Sequence, residues 1–207
     1  LSTLRSIGSQ MSTTQERISS GLKVGSAADN AAYWSISTTM KTESSSLSVV
    51  GEALGMGSSL ADISSTATQS IIDLAKQVRD RLTAAGEGTN DADKLQVEID
   101  QLNEQMASIV GSATFNGVSW LNGTDADGNN LTSTTVLSGV SKTKDDEGVI
   151  TTKLDTIKID LVSSESDARN VSDIVTSMKD VKTSAAAAGL TTIDNAIQAL
   201  TEICLLY

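Results

Sequence analysis

The chain has no proline and no histidine among its 207 residues, one cysteine, and few aromatics: two Trp, two Tyr and one Phe. Each absence excludes something. Without histidine there is no Ser-His-Asp or Cys-His machinery, no histidine metal site and no neutral-pH imidazole switch. One cysteine allows no internal disulfide and no Cys-rich zinc site. No apolar run approaches the roughly 18 residues that would mark a membrane span. Ordinary usage would supply about ten prolines. Their absence permits long uninterrupted helices, because proline breaks helix interiors. A net charge of −11 with scattered Lys and Arg argues against a nucleic-acid surface. With aromatics scarce, any core must be built from Leu, Ile, Val and Ala. Ser plus Thr reaches about a quarter of the chain, well above ordinary usage, which suits solvated or packed fibrous surfaces. No basic segment followed by an apolar stretch marks a Sec-type signal, and the first residue is Leu1 rather than Met.

What is present is helical periodicity. Leu4, Ile7, Met11, Ile18 and Leu22 form a heptad-like stripe with one gap near Thr14. Leu47, Val50, Leu54, Leu60, Ile63, Ala67, Ile71, Leu74, Val78 and Leu82 predict one helix of about 40 residues. Gly51, Gly55 and Gly57 weaken its start. The segment from Gly86 to Asp91 reads as a loop, and Asp91 or Asp93 can cap the next helix. Leu95, Ile99, Leu102, Met106 and Ile109 then step by four and three, and the short loop implies an antiparallel pair. Phe115 to Gly123 carries two Asn-Gly pairs, which predicts a hairpin. Leu131 to Val140 reads as a short strand, and Ile157, Ile159 and Leu161 as a half-buried one. Helical spacing returns at Val171, Ile174, Met178, Val181 and Ala185. Gly189 is expected to stop that helix before Ile193, Ala196, Ile197 and Leu200 resume it. The fold class is therefore mainly α: a long antiparallel helical rod or coiled coil with a small β-rich insert.

Several motifs have bland readings. Asp125 to Asn130 resembles a calcium loop, but Asn130 and Val136 stand where Gly and Glu are needed, so an acidic turn is expected. The sequons at Asn122, Asn130 and Asn170 read as accidents of a Ser/Thr-rich chain. Arg79 and Arg81 beside Asp80, and Lys76 with Asp73, read as solvated helix charges and local ion pairs; the alternative is a contact face for a neighbouring subunit. Cys204, in an apolar ending without a neighbouring base, reads as a packed cysteine. Residues 16–32 read physically as a helix stopped at Gly21, an irregular small-residue stretch, and a short helix through Ile36 and Met40 capped by Asp29 or Asn30.

That segment, Glu16-Arg-Ile-Ser-Ser-Gly-Leu-Lys23 followed by Ser26-Ala-Ala-Asp-Asn-Ala-Ala32, resembles the N-terminal signature of bacterial flagellins. Leu1-Ser-Thr-Leu-Arg-Ser-Ile7 and Asn30-Ala-Ala-Tyr-Trp-Ser-Ile36 look most like the rhizobia-type flagellins of alphaproteobacteria. The likeness continues through Asp91-Ala-Asp-Lys-Leu-Gln-Val-Glu-Ile99 and Phe115-Asn-Gly117, and returns over Leu190 to Leu200. It implies an inner coiled-coil helix over 1–20, packed through Leu4, Ile7, Met11, Ile18 and Leu22. It implies a spoke over 21–45, with contacts at Arg17, Ser20, Gly21, Ser26, Asp29 and Asn30. A helical rod with a terminal hairpin would occupy 46–123, its core packed by Ile71, Leu74, Val78, Leu95, Ile99, Leu102 and Met106. A variable surface insert would occupy 124–165, and the start of a returning C-terminal segment 166–207.

The resemblance also implies an extracellular filament subunit that needs no cofactor or metal and is no enzyme. Its implied partners are further copies of itself, a flagellar type III export apparatus and chaperone, and filament cap and junction proteins, with no nucleic acid and no membrane span. Lys76 to Leu82 lies where related flagellins carry a patch read by a Toll-like receptor. Gln77, Arg79 and Arg81 make it a candidate receptor-facing or subunit-contact patch. Arg81 replaces the usual apolar residue, so weak or no recognition is expected. Against the family pattern the chain starts roughly a dozen residues late, and Glu202 to Tyr207 stands in place of the long returning helix. A fragment or truncated form is expected, without the partner for its inner helix. The competing readings are a hook–filament junction protein and, from another class, a glycan-binding module or glycosidase in the insert. The Tyr33 to Ile36 stretch favours flagellin over the junction protein. Asp145, Asp146 and Glu147 are adjacent in one loop, whereas glycosidases need two opposed carboxylates.

Overall fold

The computed structural model describes residues 2–88, 91–123, 133–145, 149–162 and 170–206. It divides into two units, Leu1–Val50 and Gly51–Tyr207. The elements in order are α1 (Ser2–Ser20), α2 (Ala31–Gly86), α3 (Ala92–Ser112), β1 (Ser133–Lys144), β2 (Ile150–Asp160), α4 (Val171–Met178), a 3-10 turn (Thr183–Ala185) and α5 (Ala186–Leu206). The acidic turn and the sequons at Asn122 and Asn130 fall wholly or partly on residues 124–132, which lie outside the described residues.

In the first unit, α1 ends at Gly21, whose φ of +68° is the left-handed conformation expected after a helix. The hydroxyls of Thr13 and Thr14 donate to the carbonyls of Ser9 and Gln10, 3.0 and 2.8 Å away. Thr14 therefore interrupts the apolar stripe without interrupting the helix. The short helix expected through Met40 and the long one expected from Leu47 are a single α2 of 56 residues. Nothing between them breaks a helix, and Thr39, Thr42 and Ser46 return their hydroxyls to carbonyls one turn back. Such back-bonding satisfies a hydroxyl that would otherwise compete with the helix.

The second unit has one continuous core shared by α2, α3, α4 and α5. Arg81 of α2 meets Glu98 of α3, and Ile63 and Ala67 line a groove with Ile109 and Ala113, so these helices run antiparallel. α5 also runs against α2: Gly86 faces Ala186, Arg79 pairs with Asp194, and Ser65 approaches Cys204. The buried stripe of α2 is Ser64, Thr68, Ile71, Ala75, Val78 and Leu82; that of α3 is Ile99, Asn103, Met106 and Val110. Both stripes are rotated from the expected ones. Ile71, Val78, Ile99 and Met106 are buried, whereas Leu74, Leu95 and Leu102 are half-buried. Ser64, Thr68 and Asn103 share the buried side with these large apolar residues.

Gly189 does not stop a helix. It lies inside α5, where a Cβ would sit 2.5 Å from Leu82 Cδ2 and 2.8 Å from Val181 Cγ1. The break comes earlier, between Met178 and Thr183. Gln96 of α3 holds this corner, donating to the Val181 carbonyl (3.4 Å) and accepting from the Thr183 amide (2.9 Å). The hairpin expected over 115–123 is a single bridge between Phe115 and Val118, closed by Asn116 and Gly117 at φ +50° and +79°. That is the Asn-Gly turn without strands beyond it. The strands lie further on: β1 and β2 pair antiparallel, with an irregularity between Leu137 and Gly139. Val136 and Ile159 pack on Leu60, Trp120 and Leu161. Gly57 permits this, since a Cβ there would lie 2.7 Å from Val136.

Candidate assembly surface

α1 carries an apolar stripe and buries none of it. Leu4 is 72% exposed and Ile18 77%, with Ile7, Met11 and Leu22 also exposed. The first half of α2 continues in this manner, with Tyr33, Ile36, Met40 and Leu47 exposed. An amphipathic helix owes most of its stability to burial of its apolar face. A stripe this long left in water is a surface made to be covered.

The connection between α1 and α2 is built from local polar bonds. The Leu22 amide donates to Ser20 Oγ at 3.3 Å. Asp29 Oδ2 accepts from the amides of Gly25 and Ser26, both at 3.1 Å, and from Ser26 Oγ at 3.3 Å. These bonds, with Gly25 foremost and the Arg17 charge adding a little, hold the Asp29 carboxyl below its ordinary range. Asn30 caps α2 by accepting from the Tyr33 amide at 3.1 Å. Ser20, Gly21, Ser26, Asp29 and Asn30 thus share one short connection, and Arg17 lies near enough to act on Asp29 by charge.

On α2, the patch around residue 79 is not a set of local pairs alone. Lys76 meets Asp73 at 3.2 Å within α2, and Gln77 donates to the Asp73 carbonyl at 3.5 Å. Arg79 reaches Asp194 of α5 at 2.7 Å and Arg81 reaches Glu98 of α3 at 2.6 Å. The two arginines fasten different helices to α2, with their side chains half in solvent.

Among the described residues, Ser64, Thr68 and Asn103 are buried polar side chains in the helical stripes that escape sequence reasoning. Asn103 donates to the Met178 carbonyl at 3.3 Å. They occupy heptad positions four and three residues from apolar neighbours, but their polarity reads as surface. Asn170, read as an accidental sequon, caps α4 by accepting from the Asp173 amide at 2.9 Å. Cys204 is half-buried against the core, 3.9 Å from Ser65 Oγ. Among the described residues no helix is long and apolar enough to cross a membrane, and no group of His, Cys, Asp or Glu could hold a metal ion.

Residues 1–126 match the family model of the bacterial flagellin N-terminal helical region. Flagellin A of Rhizobium meliloti is 46% identical over 153 residues, and Flagellin B of the same organism 45% over 153; each alignment covers 74% of this chain. A flagellin of Brucella melitensis biotype 1 is 36% identical over 128 residues, 61% of this chain and 45% of that protein. The chain spans only 38% of the length of the two Rhizobium proteins. Among solved structures, Bacillus cereus flagellin superposes with a TM-score of 0.52 at 25% identity, covering 76% of this chain and 79% of that one. On this match across more than half its length, the chain belongs to the bacterial flagellin family.

Proposed function

We propose that this chain is a structural subunit of an extracellular bacterial flagellar filament, assembling by helical packing between copies and carrying out no catalysis. The carrying observation is the apolar stripe of α1, uncovered in the isolated chain. In a helical polymer each copy offers one surface to the next, and a head-to-tail contact that does not close yields an open filament. In this reading Leu4, Ile7, Met11, Ile18 and Leu22 pack the inner coil of residues 1–20. Residues 21–45 form the spoke, with Arg17, Ser20, Gly21, Ser26, Asp29 and Asn30 shaping its contacts. The rod over 46–123 is held by Ile71, Leu74, Val78, Leu95, Ile99, Leu102 and Met106. The insert over 124–165 faces solvent, and 166–207 begins the returning segment. A flagellar type III apparatus and chaperone deliver the subunit, and cap and junction proteins bound the filament.

Gln77, Arg79 and Arg81 form the candidate receptor-facing patch. Arg79 and Arg81 are each engaged by a carboxylate of a neighbouring helix. Weak or no activation of the flagellin-sensing Toll-like receptor is expected from pure full-length protein, and strong activation would overturn that expectation. The filament reading itself is tested by electron microscopy of tagged chain mixed with flagellin under polymerising conditions. Label along filaments of flagellar diameter is expected; label only in the soluble fraction would contradict it.

A further inference from the structure

We propose that β2 is a dimerisation edge, where a second copy of this chain adds its own β2 antiparallel in a register centred on Leu154. The sheet has two strands, β1 and β2, so the outer edge of β2 pairs with no strand among the described residues. An open edge is a template for another strand. Ile150 is 64% exposed and Leu154 62%, and Ile157 is exposed as well. These apolar side chains lie where a surface strand would ordinarily carry polar ones.

The charge pattern chooses the occupant. In antiparallel pairing about a two-fold axis at Leu154, Leu154 faces its own copy. Lys153 then faces the second copy's Asp155, and Asp155 its Lys153. Thr152 faces Thr156, and Thr151 faces Ile157. Every β2 charge in this register meets an opposite or neutral residue, and directly opposed unlike charges favour strand pairing. Moving the axis by one residue sets Lys153 against Lys153, or Asp155 against Asp155, which like-charge repulsion disfavours. Lys158 is already paired with Asp160 at 2.7 Å, whereas Lys153 and Asp155 have no ion pair among the described residues. A self-complementary edge of this kind is what a two-fold contact requires.

Cysteine crosslinking of the whole chain in a Cys204→Ser background tests the register. Leu154→Cys should form a disulfide-linked dimer under mild oxidation, while Ile150→Cys and Ile157→Cys, which do not face themselves, should not. Adding Lys153→Asp or Asp155→Lys to Leu154→Cys should each abolish that dimer. Mixing the two charge variants should restore it, because every acid at one position then faces a lysine at the other. Equal crosslinking at 150, 154 and 157, none at 154, or no recovery on mixing would overturn the proposal. These outcomes are read on unpolymerised chain and do not depend on the filament reading.

Discussion

Gly189 and Gly55 are both helical glycines, and they should respond to alanine with opposite sign. At Gly55 a Cβ meets nothing within 4 Å. Gly55→Ala should therefore stabilise the chain by about 0.5–1 kcal/mol through helix propensity. At Gly189 the Cβ strikes Leu82 and Val181. Overpacking of about 1–3 kcal/mol then outweighs the propensity gain. Urea midpoints on both variants check this, and a stabilised Gly189→Ala would show that the α2–α5 contact is looser than described. Asp29 supplies a second residue-scale test. Its pKa is lowered in the folded chain by the Gly25 and Ser26 amides. The turn is therefore fully supported above about pH 4, the unfolded value. That support is lost as the pH falls through the lowered pKa. Carboxyl NMR should show Asp29 titrating below an unfolded reference. Asp29→Ala should speed hydrogen exchange at Gly25 and Ser26 at neutral pH. Titration at the ordinary value would remove the capping role.

At the scale of elements, α1 and α3 both carry apolar stripes, yet a charge should be tolerated in one and not the other. Ile99 is fully buried. Ile99→Asp places an uncompensated charge in the core and should cost roughly 3–5 kcal/mol, a large share of a marginal domain's stability. Leu4→Asp on exposed α1 should leave the melting temperature of the isolated chain nearly unchanged. Circular dichroism melts of the two variants separate the cases, and an equal loss would mean that α1 is packed in the isolated chain. The α3 periodicity was legible because Leu95 to Ile109 repeats cleanly. Which side of it lies innermost was not, because Asn103 reads as surface until Met178 supplies the carbonyl it bonds. The fusion of the two expected helices into α2 was hidden for a related reason. A Ser/Thr-rich stretch lacks apolar periodicity, but its hydroxyls back-bond and let the helix continue.

For the molecule as a whole, the two units should part company on mutation. Ile7→Asp should prevent incorporation into filaments, assayed by co-sedimentation with wild-type flagellin, while urea unfolding of the Gly51–Tyr207 unit stays unchanged. Normal incorporation would show that the α1 stripe is not an assembly surface. By itself the sequence determined the helical class, the left-handed stop at Gly21, the Asn-Gly turn at 116–117 and the family signature over 16–32. These depend on spacing and on single-residue backbone preference, which are local. Only the tertiary structure decided that Gly189 is a contact and not a stop, that Arg79 and Arg81 fasten two different helices, and that Ser64, Thr68 and Asn103 lie inside. Each of those depends on a partner brought from far along the chain, and close packing between helices, unlike helix formation, has no sequence period of its own.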